Sequence, residues 1–178
     1  GPYHEEAVAN PVSYYGESKL AAEKALKASD IRWAIARTVL VYGITEAMSR
    51  SNIILWVKKS LEEGKTIHVV DDQWRTPTLA EDLAMGCYLI ADNEAEGVFN
   101  ISGPDFLTPY EMAIKTAKYF DLDQSLIVKT DASRFSQPAK RPPKTGFVLT
   151  KAQEQLNYQP HSFDDGIAIL DGQLKATM

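Results

Sequence analysis

The sequence predicts an α/β fold. Segments with strand character alternate with segments of helical character along the chain, which is the pattern of α/β domains. The strand segments fall into two clusters, one near the first helix and one in the middle of the chain. The 178 residues, 44% hydrophobic and 24% charged, are enough for a single compact domain, or a small domain with a subdomain, around a real core.

The first two elements follow a loop at the start of the chain. A helix is predicted after Ser13 and runs through Lys27, because Ala, Leu and Lys dominate "YYGESKLAAEKALK" and recur at helical spacing. "IRWAIARTVLVYG" then predicts a β-strand over residues 33–38, with Gly43 ending the stretch.

The next two elements are an amphipathic helix and a short strand. "SNIILWVKKSLEEGK" carries a strong helical pattern with Ser51 or Asn52 as its N-cap and Gly64 at its end. "TIHVV" predicts a short strand, and residues 71–77 predict a loop.

A helix and a buried strand follow this loop. "TLAEDLAMGCYLIAD" predicts a helix, in which Thr78 and either Glu81 or Asp82 form a capping box. Cys87 lies in this helix, and we expect it to be a buried, unreactive thiol. "GVFNISG" predicts the strand after it.

The last part of the chain is mainly helical. Thr108 caps a helix that has Pro109 in its first turn. "LIVKTD" predicts an edge strand, "SQPAKRPPKTG" predicts a loop, and two short helices are expected near residues 150–156 and 163–174.

We expect the strands to form two groups. Residues 33–38 and 98–102 fit one parallel sheet joined by helical crossovers, while residues 67–70 and 127–129 pair in a smaller subdomain.

Composition excludes several kinds of function. A net charge of -5 argues against broad nucleic-acid binding, and no apolar run is long enough to span a membrane. One cysteine excludes an internal disulfide framework and a Cys-based zinc site, and the three histidines show no metal-ligand spacing. We therefore expect no metal and a cytoplasmic location.

Tyr15 and Lys19 are the first candidates for chemistry. Residues four apart share a helix face, so Tyr15 has an ammonium one turn along, whereas Tyr14 has Ser18 there. A cation beside a phenol lowers the pKa of the phenol and prepares it for proton transfer. On spacing alone the pair is more often a chance surface arrangement, with the lysine stem lying along the helix.

The order of several segments resembles one protein family. "YYGESKLAAEKAL" is similar to the catalytic helix of extended short-chain dehydrogenase/reductases, and "ARTVLVYG" to the strand and turn after it. "VVDDQWRTPTLAEDLA", "GVFNISGPDFLTPYEMA" and "KRPPKTGFVLTKAQEQL" resemble successive blocks of the dTDP-4-dehydrorhamnose reductases. The resemblance covers nearly the whole chain in the right order.

The resemblance implies roles for three residues near the first helix. Tyr15 would donate a proton to a sugar ketone while NADPH or NADH delivers hydride, and Lys19 would bind the nicotinamide ribose. Arg37, on the strand that leads towards the nicotinamide, would also contact the cofactor, as would Tyr15. The third catalytic group, a Ser or Thr, would precede Gly1, because Ser13 is too close to Tyr15.

Three further residues are candidates for binding a nucleotide-sugar substrate. Gln73 and Arg75 share a loop, and the Arg75 guanidinium could form two hydrogen bonds with a diphosphate; the alternative is a helix-capping loop with an exposed arginine. Arg141, beside Lys140 in a Pro-rich loop, could close over the same diphosphate, or belong to a solvated linker.

The main cofactor-binding turn is missing from the sequence. A dinucleotide fold needs a Gly-rich turn between strand and helix, and none occurs here. We therefore expect residues 1–178 to be the C-terminal part of a Rossmann-type extended short-chain dehydrogenase/reductase fold, with a small substrate-binding α/β subdomain. This part alone would be inactive, and artificial or native homo-oligomers are possible.

Val39 and Leu40 depart from the resemblance. The rhamnose-pathway reductases typically carry Ser-Trp after the "RT" pair, which is occupied here by Arg37 and Thr38. The aliphatic residues are similar to a sister group, the regulatory β subunit of methionine adenosyltransferase, which binds a partner enzyme. A sugar-nucleotide epimerase or dehydratase that uses the same Tyr–Lys pair is the third alternative.

Overall fold

The computed structural model describes residues 1–45, 51–134 and 142–177. In these ranges the helices alternate with short strands, as the sequence predicts. The helices are α1 (Tyr14–Lys27), α2 (Ile53–Glu62), α3 (Ala80–Asp92), α4 (Pro109–Tyr119), α5 (Thr150–Leu156) and α6 (Phe163–Thr177). The strands are β1 (Ala34–Arg37), β2 (Val41–Tyr42), β3 (Ile67–Val70), β4 (Trp74–Arg75), β5 (Thr78–Leu79), β6 (Gly97–Asn100), β7 (Ile127–Thr130) and β8 (Lys144–Thr145).

The two predicted strand groups are confirmed. β1 pairs with β6 in parallel, with Ala34 opposite Gly97 and Arg37 opposite Asn100. β3 pairs with β7, also in parallel, with Ile67 opposite Ile127. Each parallel pair is separated in sequence by helices, because parallel strands need a crossover connection.

Two pairs of two-residue strands were not predicted. β2 pairs with β5, and β4 pairs with β8, both in parallel. The predicted loop over residues 71–77 therefore contains a short strand, Trp74–Arg75. Such strands carry no periodicity of their own, because two residues are too few to show a pattern.

Three clusters of buried side chains hold these elements together. The first joins β2, β5, α2, α4 and α6, the second lies under the β3–β7 pair, and the third lies between the β1–β6 pair and helices α3 and α5. In the second cluster, α2 and α4 pack against β3 and β7, the two strands that are predicted to pair in a smaller subdomain.

The predicted N-caps are confirmed for α2 and α4, and the one predicted for α3 is wrong. Asn52 caps α2 by accepting a hydrogen bond from the Leu55 amide, and Thr108 forms a complete capping box with Glu111. The capping box predicted at Thr78 is wrong. Thr78 lies in β5, its hydroxyl donates to the carbonyl of Val39, and α3 has no side-chain cap. Pairing between β2 and β5 decides the position of this residue.

The expectation that Cys87 is buried is also wrong. The buried face of α3 is formed by Asp82, Gly86 and Ile90, which recur every fourth residue. Cys87 follows Gly86 by one residue, which is about 100° around a helix, so its side chain is exposed.

Candidate functional site

The start of α1 places Tyr15 and Lys19 on one helix face. Ser13 caps the helix by accepting a hydrogen bond from the Gly16 amide, so Tyr15 lies in the first turn. The Lys19 Nζ lies 5.5 Å from the centroid of the Tyr15 ring. The Tyr15 residue is 71% exposed. The prediction that spacing brings these two groups together is confirmed.

A cleft of about 520 Å³ separates α1 from β1. Tyr15 and Lys19 lie on one side of this cleft, and the whole of β1 forms the other side. The remaining lining residues are mostly apolar, as expected for a binding cleft with a few polar groups. The cleft is lined by Tyr15, Lys19, Ala22, Glu23, Leu26, Ala34, Ile35, Ala36, Arg37, Thr38 and Phe147.

Arg37 lies in the cleft with its guanidinium paired to α1. Its Nε donates to Glu23 Oε1 over 2.8 Å, and its Nη2 donates to Glu23 Oε2 over 2.7 Å. Hydrogen bonds from Arg37 hold the pKa of the Glu23 carboxyl below its usual value, and the carboxylate in turn raises the pKa of Arg37. Contact between Arg37 and the cofactor stays a prediction.

Gln73 and Arg75 do not line this cleft. Arg75 is buried, and its guanidinium donates to the carbonyls of Trp74 and Pro143 and to the side-chain oxygen of Gln73. A substrate diphosphate would therefore compete with these acceptors. Binding of substrate by Gln73 and Arg75 stays a prediction, and Lys140 and Arg141 lie outside the described residues.

The chain has a strained backbone position between β1 and β2. Leu40 has a φ of 47°, in the left-handed region that costs a non-glycine residue about 1–3 kcal/mol. The backbone amide of Thr78 donates to the Leu40 carbonyl over 3.1 Å, and the Thr78 hydroxyl donates to the Val39 carbonyl over 2.8 Å. Two hydrogen bonds from Thr78 in β5 thus hold this strained turn between β1 and β2.

Two aromatic residues, Tyr42 and Trp74, do not line the cleft. Tyr42 is buried against Phe163, with ring centroids 5.3 Å apart, and burial raises the pKa of its phenol far above the usual value. Trp74 is half-buried, and the Lys144 Nζ lies 5.2 Å from the centroid of its ring. Tyr42 is therefore a core aromatic residue.

Two acidic residues, Asp71 and Asp82, have hydrogen-bond partners within the protein. Asp71 accepts hydrogen bonds from Thr108 and Lys129, and Asp82 accepts two from His161. Across residues 1–45, 51–134 and 142–177, no group of three or more His, Cys, Asp or Glu side chains could hold a metal ion. In those same ranges, no helix has the length and apolar character needed to cross a bilayer.

Sequence reasoning missed Glu23 and Phe147. Glu23 follows Lys19 by four residues and Tyr15 by eight, so it continues the same helix face. This spacing could have predicted that Glu23 lies at the same cleft. Phe147 reaches the cleft because the chain near Gly146 runs beside Tyr3, and no local pattern indicates such a contact.

The chain has relatives among known proteins. A family model described as the RmlD substrate binding domain matches residues 1–173. Methionine adenosyltransferase 2 subunit beta of Bos taurus is 33% identical over 129 residues, which cover 70% of this chain and 39% of that protein. The probable low-salt glycan biosynthesis reductase Agl14 of Haloferax volcanii is 26% identical over 172 residues, which cover 96% of this chain and 57% of that protein. The chain thus spans less than two thirds of both relatives.

Solved structures share the fold. A dTDP-4-dehydrorhamnose reductase from Bacillus anthracis in complex with NADP has a TM-score of 0.85 at 23% identity, and covers 96% of this chain and 59% of its own. A hypothetical dTDP-4-dehydrorhamnose reductase from Sulfolobus tokodaii has a TM-score of 0.76 at 26% identity, and covers 93% of this chain and 57% of its own. These likenesses confirm the Rossmann-type α/β fold.

Proposed function

The chain belongs to the RmlD substrate binding domain family, and from this membership we propose that it is part of an NAD(P)H-dependent reductase of a nucleotide-linked 4-keto sugar. The observation that carries the proposal is the placement of Tyr15 and Lys19 on one face of α1, at a cleft formed with β1. The proposed substrate is similar to dTDP-4-dehydrorhamnose, because the structurally similar reductases are named for that sugar nucleotide.

Tyr15 is the proton donor in this proposal. Its phenol lies exposed at the cleft, where a sugar ketone can approach, and its O–H donates the proton that the ketone oxygen needs as it becomes a hydroxyl. The Lys19 ammonium beside the ring stabilises the negative charge that is left on the phenol oxygen. The nicotinamide cofactor, when bound, supplies the hydride.

Lys19 is the residue of this chain that would hold the nicotinamide half of the cofactor, because the Arg37 guanidinium is already engaged by Glu23. In the part of the chain that the structure describes, the Lys19 ammonium forms no ion pair, so its N–H groups can reach a ribose hydroxyl. The sequence has no Gly-rich turn for the pyrophosphate, and we propose that this turn belongs to another part of a longer protein.

The test is a reductase assay of the full-length protein. With dTDP-4-dehydrorhamnose and NADPH, we expect oxidation of NADPH that depends on the sugar nucleotide and yields the reduced sugar. NADPH oxidation that is independent of the sugar, or no oxidation at all with a correctly folded protein, would contradict the proposal. Conversion of the sugar without net oxidation of NADPH would indicate the epimerase or dehydratase alternative.

The 178-residue chain alone is expected to bind NADPH weakly. Without a Gly-rich turn it lacks the backbone N–H groups that hold the pyrophosphate, so a fluorescence titration should show no saturation in the micromolar range. The full-length protein, titrated in parallel, should saturate. Micromolar affinity of the isolated chain would show that the main cofactor site lies within residues 1–178.

A second candidate function is regulation of a partner enzyme. Two observations favour it: the 33% identity to methionine adenosyltransferase 2 subunit beta, and the aliphatic pair Val39 and Leu40. Under this alternative, a methionine adenosyltransferase catalytic chain should co-purify with the full-length protein, and the reductase assay should give no sugar-dependent rate. Sugar-dependent activity without such a partner favours the reductase.

A further inference from the structure

α1 carries the proposed proton donor, yet it buries none of its residues. A helix that is held by apolar packing buries a stripe of side chains against the core. The cleft lies between α1 and β1, and Leu20 and Leu26 of α1 are only half-buried, so apolar packing holds this helix less firmly than a buried stripe would. A polar contact holds this helix as well.

The contact is the ion pair between Glu23 and Arg37. Both guanidinium–carboxylate hydrogen bonds are shorter than 3.0 Å, and the two side chains are only 18% and 20% exposed. A two-point pair of this kind fixes orientation as well as distance, which a lysine cannot do. Within the described ranges, the side-chain hydrogen bonds from α1 to another element all run to Arg37.

The strand side of this pair is fixed as well. The Arg37 Nη1 donates to the carbonyl of Glu5 over 3.0 Å. The Glu5 side chain accepts from the Asn100 amide over 2.9 Å, and the Asn100 side chain donates to the carbonyls of Tyr3 and Val148. Arg37 therefore connects α1 to β6 and to the segment that begins the chain.

Building on the proposed function, we propose that Glu23 and Arg37 are a positioning pair that holds α1 at its distance from β1 and so aims Tyr15 and Lys19 into the cleft. Glu23 lies two helical turns beyond Tyr15 on the same face, so a shift of Glu23 moves the phenol with it. Neither residue of the pair needs to touch the reacting atoms.

The test compares Glu23→Gln, Arg37→Gln and the double variant in the full-length protein. Displacing a catalytic group by about 1 Å can cost a hundredfold in rate, so we expect each single variant to lower kcat by about 10-fold or more. If the residues act as one unit, the double variant should lose no more than either single variant. The Kd for NADPH should stay within about twofold of the wild-type value.

Glu17→Gln is the matched control, because Glu17 is an exposed acid on the same helix. It should keep the wild-type kcat. Unchanged kcat in Glu23→Gln, or losses that multiply in the double variant, would overturn the positioning role. Weaker NADPH binding in Arg37→Gln alone would assign Arg37 to the cofactor instead and would equally overturn it.

A measurement of backbone dynamics, which needs no catalytic turnover, tests the positioning pair independently of the proposed function. Amide hydrogen exchange should become faster across α1 by a similar factor in both single variants and in the double variant, and should not change in Glu17→Gln. Unchanged exchange in α1 would overturn the pair even if the wild-type protein is active. If the wild-type protein is inactive but α1 loosens as expected, the proposed function fails and the positioning role stands.

Discussion

Replacing Tyr15 with Phe in the full-length protein is expected to lower kcat for reduction of the nucleotide sugar by about 10²–10⁴-fold. The substitution removes one hydroxyl and keeps the ring, so the position of the Lys19 ammonium 5.5 Å from the ring centroid need not change. What is lost is the proton donor that the proposal places at the cleft. Steady-state kinetics with dTDP-4-dehydrorhamnose and NADPH measures the effect.

Tyr14→Phe is the matched control for this prediction. Tyr14 lies one residue away on the same helix, is more exposed than Tyr15, and does not line the cleft. Its variant should keep the wild-type kcat, and the Kd for NADPH should stay similar in both variants. A wild-type rate in Tyr15→Phe would exclude the acid role, and a large loss in Tyr14→Phe would move it to the neighbouring phenol.

Replacing Phe163 with Ala is expected to lower the free energy of unfolding by about 3–5 kcal/mol. Phe163 is 1% exposed at the start of α6 and packs edge to face on Tyr42, at the centre of the cluster that joins β2, β5, α2, α4 and α6. The truncation leaves a cavity there that the surrounding helices can fill only in part. Urea denaturation followed by circular dichroism measures the change.

Tyr88→Ala is the control for this measurement. It also removes a large aromatic ring from a helix, but Tyr88 is 58% exposed on α3. Its effect should stay within about 0.5 kcal/mol, as for other surface substitutions. If Phe163→Ala cost no more than Tyr88→Ala, the cluster around Tyr42 would not be the core that the structure describes.

Errors in the sequence-based predictions have a common origin. Thr78 has the composition of a helix cap, but pairing between β2 and β5 places it in a strand, while Thr108, with no competing strand, caps its helix as predicted. Cys87 is apolar and lies in a helix, yet the position of Gly86 against Ile101 decides which face of α3 is inside. In both cases a partner distant in sequence outweighs the local preference.

The sequence by itself determined the α/β class, the limits of most helices, the two parallel strand pairs and the neighbourhood of Tyr15 and Lys19. The class, the helix limits and the Tyr15–Lys19 pair depend on short-range periodicity, on caps and on the four-residue repeat of a helix, which can be read within a few residues. The strand pairs follow from the alternation of strands and helices along the chain, because parallel strands need a crossover connection. Only the tertiary structure decided that Arg37 reaches back to Glu23, that Arg75 is buried among backbone carbonyls, and that a cleft lies between α1 and β1. Those features join residues far apart in the chain, and local preference carries no information about which distant groups will meet.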